Sequence, residues 1–347
     1  MSFKNYRAIG YAILAAALYG ASSPVSKKLL THLPPTLMAS MLYLGAGLGM
    51  SVLFLLQSRE SKGAGIEKKD FPYVLGMILL DIAAPILLMM GLYKTTASTV
   101  SLLNNFEIVV TTLIALILFK ESVGKRMWIA IFLITASSMI LSISDFSKIE
   151  LSSSSIFVLL ACVSWGLENN CTRMLSLKNP VQIVVVKGLG SGVGAFMVAL
   201  YLGESIGHIG YMVLALILGF FAYGLSITLY IRAQRDLGAS RTSAFYAAAP
   251  FMGVLLSWFF LREPITGTFL LALAVMIVGT YFAVSETHDH EHVHGDEIHE
   301  HSHCHDDGHH DHIHLTSVSG EHTHVHTHSS IKHTHSHFPD MHHTHAH

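Results

Sequence analysis

Apolar residues run along this chain in blocks of about 20, the length that carries a helix across a bilayer, and short polar links separate them from Tyr6 to Val284. Ten blocks qualify: Tyr6–Leu30, Thr36–Leu56, Phe71–Leu92, Ala97–Phe119, Met127–Ser144, Ser155–Leu175, Val181–Leu202, Tyr211–Arg232, Ser240–Leu261 and Thr268–Val284. Several links carry proline or paired charges, as at Leu33-Pro34-Pro35, Lys178-Asn179-Pro180 and Arg262-Glu263-Pro264. The pattern predicts an all-α integral membrane protein of ten transmembrane helices.

The fourth block organises the rest. Ala97 to Glu121 places Asn104, Asn105 and Glu107 inside a membrane-length run, and it recurs as Ala239 to Glu263 at an offset of 142. Ala97-Ser98 meets Ala239-Ser240, Ser101 meets Ser243, and Lys120-Glu121 meets Arg262-Glu263. Tyr19-Gly20 matches Trp165-Gly166 and Lys27 matches Arg173 at offset 146. The glycine run Gly45, Gly47, Gly49 matches Gly190, Gly192, Gly194 at offset 145, with Pro35 on Pro180. The repeats are read as residues 1–144 and 155–285, joined by a link at 145–154 and followed by a tail at 286–347. Each holds five helices, an odd number, so the second must enter the membrane inverted. Inverted repeats around a midplane site are a common construction of secondary transporters.

Composition agrees: 51% of the 347 residues are hydrophobic and 13% charged, with mean hydropathy +0.50, against roughly 25% charged in soluble domains. A net charge of −2 argues against nucleic acid, which wants a basic stripe. Cys162, Cys171 and Cys304 are scattered and odd in number, offering neither a disulfide framework nor a CxxC site. The first apolar run is long for a signal-peptide core, so it reads as an uncleaved first helix. Lys and Arg at the span ends and in the links divide fourteen to five between the two sides, which predicts cytoplasmic termini in the plasma (inner) membrane.

The ten helices in two repeats, the helix-one end Gly20-Ala21-Ser22-Ser23-Pro24-Val25-Ser26-Lys27-Lys28, the Leu33-Pro34-Pro35 link and the acidic ends Phe119-Lys120-Glu121-Ser122 and Leu261-Arg262-Glu263-Pro264 together resemble the EamA branch of the drug/metabolite transporter superfamily. The resemblance covers Tyr6 to Ser285 and implies a permease for small organic solutes with a central cavity between the halves. One departure matters. The family often has proline after the helix-four glutamate, whereas Ile108 follows Glu107 here and only the second half keeps a proline, Pro250.

Ionisable groups at bilayer depth cost about 2.5–3.5 kcal/mol each on insertion scales and usually face a cavity or a partner. Asp81, Glu107, Glu168 and Lys187 are such groups. Glu107 shares a helical face with Asn104, Ser101 and Thr111. It suits a cation, a solute's ammonium or a carried proton, with a helix-fastening hydrogen bond as the bland alternative. Helix six carries Trp165, Glu168, Asn169 and Thr172 within two turns, and Lys187 can meet Glu107, Asp81 or a substrate carboxylate. Pro85 can kink helix three beside Asp81. Tyr246, at the position matching Asn104, can stack on an organic substrate. The candidate substrate residues are therefore Glu107, Asn104, Asp81, Glu168, Asn169, Lys187 and Tyr246. Gly45–Gly49 and Gly190–Gly194 read as close-packing stripes, and Glu121 and Glu263 as caps accepting N–H groups of the following turn.

From His288 onward the character changes. Twenty-three of the 25 histidines lie here, at His288, His290, His292, His294, His299, His301, His303, His305, His322, His324, His326, His328, His333, His335 and His337 among others. No apolar period remains, so the composition predicts disorder. Imidazole is the commonest metal ligand, and Zn, Ni, Co and Cu all suit it. No histidine lies in a span, and Asp81, Glu107 and Glu168 suit harder ions. Transport itself calls for no cofactor on this reading. The expected partners are the lipid bilayer and a small-molecule or ion substrate, with homodimerisation left open. A solute permease ranks ahead of a divalent-metal permease and of a non-transporting metal sensor. No nucleophile–base motif or phosphate loop points to an enzyme.

Overall fold

The computed structural model describes residues 3–56, 65–119, 123–145, 150–175, 178–206, 209–237, 242 and 245–285, together with 289–294, 298–303, 322–327 and 331–336. The chain forms two compact units, Met1–Glu286 and Thr287–His347. Among the described residues, the elements of the first are helical apart from a small hairpin pairing Ile143–Asp145 with Glu150–Leu151. Its ten rods follow the ten apolar blocks. Helix one is Phe3–Gly20 continued by Ser22–Leu29, helix two is Pro35–Leu56, helix three is Phe71–Lys94, and helix four is split into Ala97–Leu103 and Phe106–Phe119. Helix five is Lys125–Ser142, helix six Ser153–Arg173 and helix seven Pro180–Tyr201. Helix eight runs as Ile209–Gly219, a π turn at Phe220–Leu225, then Ser226–Leu237. Helix nine contains Ala249–Leu261, and helix ten is Gly267–Val284.

Among the described residues, eight rods are long and apolar enough to cross a bilayer by length and composition. Helix six carries Glu168 and Arg173, and the Ala249–Leu261 segment of helix nine is shorter. Their starts have identifiable causes. Thr96 accepts from the Thr99 amide, Asn179 from those of Val181 and Gln182 ahead of Pro180 at the first turn, and Thr266 from that of Phe269. Each side-chain oxygen satisfies an amide that the helix itself leaves unpaired. Helix three is continuous through Pro85, so the proline removes the bond that would close on the Asp81 carbonyl without ending the helix.

The two repeats pack on one another with their order exchanged. Helix two lies against seven, five against ten, and the first half of four against nine. Helix one packs on eight and nine, as helix six packs on three and four. That exchange is what an in-plane two-fold between inverted five-helix repeats produces. Glycines set the spacing. A Cβ at Gly188 would lie 2.5 Å from the Gly47 amide nitrogen, and one at Gly47 2.6 Å from that of Leu189, so helices two and seven touch backbone to backbone. The predicted stripes point elsewhere. Gly45 and Gly49 abut Leu216 and Phe220 of helix eight, and Gly190 and Gly194 abut Ile78 and Ile82 of helix three, again related by the exchange of halves.

The interior is filled by such residues as Leu37, Met38, Leu42, Leu88, Leu92 and Trp165, while Leu55, Phe132, Phe259 and Tyr281 stand outward. On a soluble protein those side chains would be a liability; on this one they are the coat that faces acyl chains.

In the second unit, where composition predicts no regular structure, two antiparallel ladders are described. Asp289–His294 pairs with Ile331–Ser336, and Ile298–His303 with His322–Thr327. The His-x-His alternation has the period of a strand, which is why a polar sequence can adopt this backbone. In register, His290 and His292 oppose His335 and His333, and His299, His301 and His303 oppose His326, His324 and His322. His288, His305, His328 and His337 lie outside the described residues.

Candidate substrate cavity

The breaks in the helices position the polar groups. Helix four stops at Leu103 and restarts at Phe106, leaving Asn104 and Asn105 in a turn and Glu107 in the first turn of the second piece. The corresponding turn of helix nine is Ala247-Ala248, followed by Ala249-Pro250. A peptide chain can turn at membrane depth only where protein or a cavity meets its backbone groups. Both turns line one cavity of about 340 Å³.

The wall contains Glu107, Asn104, Glu168, Asn169, Lys187 and Tyr246, six of the seven substrate residues proposed from sequence. The seventh, Asp81, lies behind the wall, fully buried. Lys187 bridges two helices, its Nζ 3.0 Å from Asp81 Oδ2 and 3.0 Å from Glu168 Oε2. The Tyr43 hydroxyl donates to Asp81 Oδ1 at 3.0 Å, and Trp165 Nε1 donates to the Tyr43 oxygen at 3.2 Å. Thr172 donates to Glu168. This network ties helices two, three, six and seven together. Burying the ammonium and two carboxylates is tolerable only because each ion meets an opposite charge and further hydrogen bonds.

Glu107 stands apart from it. Its Oε1 accepts from Asn169 Nδ2 at 2.7 Å, and the same amide lies 3.3 Å from Thr111 Oγ1. The Asn104 side-chain oxygen Oδ1 is buried with no hydrogen-bond partner among the described residues. Opposite these groups is an arc of tyrosine rings. Tyr43 lies 5.7 Å from Tyr223, Tyr223 5.8 Å from Tyr19, Tyr19 5.8 Å from Tyr246, and Tyr246 4.9 Å from Tyr230.

One face of the bundle is fastened separately. Glu263, at the end of helix nine, accepts from the amides of Ala97 at 2.7 Å and Ser98 at 2.9 Å and from the Ser98 hydroxyl at 2.5 Å. It therefore caps helix four across the repeat rather than its own following turn. Glu121, its counterpart, lies outside the described residues. Glu204 caps helix two through Thr36 and Leu37, and Lys27 Nζ donates to the carbonyls of Leu92 and Tyr93.

A duplicated bundle with a polar cavity between its halves has relatives. The model of the EamA-like transporter family matches residues 6–143 and again 152–285. The chain belongs to the EamA-like transporter family. It is a multi-pass membrane protein of a transporter family, and the departure at Ile108 does not remove it from that family. It is 26% identical over 288 residues to an "Uncharacterized transporter" of Methanothermobacter thermautotrophicus, covering 78% of this chain and 83% of the relative. A solved structure called "Crystal structure of protein" superposes with TM-score 0.59 at 14% identity, over 80% of this chain and 96% of that one, a likeness of fold alone.

Within the EamA frame, several cavity positions are repeat mates: Tyr19 with Trp165, Tyr43 with Gly188, Asn104 with Tyr246, Asn105 with Ala247, Glu107 with Ala249 and Ile108 with Pro250. The cavity thus sits where the two repeats meet. Sequence reasoning missed Tyr19, Tyr43 and Tyr223. The Tyr19–Trp165 pairing was the available signal, since Trp165 had already been placed on a polar face.

Proposed function

We propose that this EamA-family protein is a secondary transporter that carries a small organic solute through the cavity between its repeats by alternating access. The observation that carries the reading is the cavity itself, lined by turns of helices four and nine and by an uncompensated carboxylate, Glu107. Its volume suits a small molecule, since ligand pockets begin at about 300 Å³. The distribution of Lys and Arg supports an inner-membrane chain with both termini in the cytoplasm.

The test is solute flux in proteoliposomes with the full chain and with Glu107→Gln. Loss of flux at normal yield and monodispersity supports the pathway; unchanged flux removes Glu107 from it. The tail supports a separate reading, a metal-binding appendage or the gathering arm of a divalent-metal permease. Its opposed histidine ladders favour metal, whereas no cluster of three metal-ligating side chains occurs among the described residues. Cellular Ni, Co, Zn and Cu contents, corrected for metal held by purified tail, separate the two readings. A net change abolished by Glu107→Gln would make metal the cargo, whereas content that follows the tail alone would not.

A further inference from the structure

The polar groups around the cavity are unequally committed. The Lys187 ammonium is held by Asp81 and Glu168 at 3.0 Å each. Asn169 donates to Glu107 and Thr111, Asn105 to the Leu102 carbonyl, and the Trp165 indole to Tyr43. These nitrogens are spent on the protein. The acceptors are not: among the described residues no cationic group forms an ion pair with Glu107, and the buried side-chain oxygen of Asn104, Oδ1, has no partner. Three carboxylates stand near the cavity against one ammonium.

The helix ends add little that would attract an anion. The second piece of helix four carries Glu107 itself in its first turn, so its positive end is already answered by a carboxylate. The Ala249–Leu261 piece of helix nine has Pro250, which has no N–H, as its second residue, and Ala249 is pressed on helix one, where a Cβ at Gly20 would come within 2.5 Å of the Ala249 carbonyl oxygen. Four tyrosines, Tyr19, Tyr43, Tyr223 and Tyr246, meanwhile present ring area to the cavity. Aromatic faces attract cations, and an unpaired carboxylate binds an ammonium through charge-assisted hydrogen bonds.

Resting on the transport reading, we propose that the solute is an organic cation, an ammonium head seated against Glu107 and Asn104 with an apolar or aromatic body among the tyrosines. A bare metal ion would find Glu107 and one amide oxygen but would leave the aromatic arc without a role. A carboxylate-bearing solute would face Glu107, while the one ammonium on the cavity wall among the described residues, Lys187, is already held by Asp81 and Glu168.

The test uses the purified full chain and a set of three probes of similar shape: 2-phenylethylammonium, 2-phenylethanol and phenylacetate. Binding is read by intrinsic fluorescence, and flux by counterflow in proteoliposomes. The ammonium is expected to bind at least about tenfold more tightly than either neighbour, and Glu107→Gln to remove that preference. Tyr246→Leu is expected to weaken the ammonium while Tyr246→Phe retains it. If Glu107→Gln does not yield folded protein, the probe series on the unaltered chain and the Tyr246 pair decide the matter alone. Equal or tighter binding of the alcohol or phenylacetate overturns the cation assignment, as does an ammonium preference that survives Glu107→Gln. Flux of phenylacetate or the alcohol without the ammonium would leave transport standing and sink only the cation. Binding of the ammonium without counterflow would keep the cation site and sink the transport reading.

Discussion

At the scale of the residue, Lys187 holds two buried carboxylates at once. Its side chain is 19% exposed, while those of Asp81 and Glu168 are 0% and 1% exposed. Removing one partner of a buried pair strands the others, at a cost of about 3–5 kcal/mol. Lys187→Met is therefore expected to lower the thermal unfolding midpoint in detergent sharply. Adding Asp81→Asn and Glu168→Gln to Lys187→Met is expected to recover much of that loss, because no unpaired charge then remains. A triple variant no more stable than the single one would show that the ions are not the source. Sequence exposed these three residues as costly and offered Asp81 as one partner of Lys187, but it did not choose Asp81 over Glu107 or add Glu168. Which ions meet depends on how helices three, six and seven are rotated about their axes, and that is settled by the glycine contacts between them. Asp81 was accordingly placed among substrate residues although it lies behind the wall.

At the scale of the element, the spans and their order were legible because membrane helices declare themselves through length and composition. What was not legible was where they break. The turn at Asn104-Asn105 carries no proline or glycine, and in helix nine Pro250 falls just after the turn rather than in it. The glycine stripes were read correctly as packing surfaces, but their partners follow from the two-fold, not from spacing. Replacing Gly188 by Leu should separate helices two and seven at their closest point. The expected result is a large loss of folded yield, whereas Gly210→Leu, where a Cβ meets nothing within 4 Å, should be tolerated. Glu263→Ala removes the acceptor for two amides and a hydroxyl at the start of helix four. Loss of a cap costs about 0.5–2 kcal/mol, so a modest fall in the unfolding midpoint is expected, together with faster hydrogen exchange confined to the first turn of helix four. Exchange that stays slow there would mean that water or a neighbour replaces the carboxylate.

The link before helix three offers a pH-dependent contact outside the spans. Lys178 Nζ lies 2.7 Å from Glu67 Oε1, with Asp70 Oδ2 at 3.1 Å. The hydrogen bond from Lys178 holds the Glu67 carboxyl below its usual range, and the same bond raises Lys178. A depressed carboxyl stabilises above its ordinary value and stops doing so as the pH falls through the depressed one. A raised lysine stabilises below its ordinary value and stops as the pH rises through the raised one. The contact is thus whole at neutral pH and lost at both extremes. Glu67 is 55% exposed, so the gain is small. Lys178→Met is expected to flatten the acid limb of the unfolding midpoint between about pH 3 and 6 while leaving the plateau nearly unchanged; an unaltered acid limb would remove the contact from the pH response.

At the scale of the whole molecule, the helical unit and the histidine tail answer to different physics. The first is held by apolar burial, glycine seams and a few paired ions, all between residues 3 and 285. The second has the alternation of a strand but almost no apolar residues to bury, so its ladders rest on backbone bonds alone, and a two-stranded pairing of that kind is marginal in water. Histidines recur at every second position along the paired strands, and imidazole is a ligand for nickel and zinc. Nickel or zinc is accordingly expected to increase strand content in the purified tail, measured by circular dichroism. The same metal should leave the unfolding midpoint of a chain ending at Ser285 unchanged. Acidification through the ordinary histidine range, near 6.5, should reverse the effect, because a protonated imidazole cannot ligate. A metal-induced shift in the truncated chain would place a metal site within the helical unit instead, and would return the tail to the role of an accessory to that site.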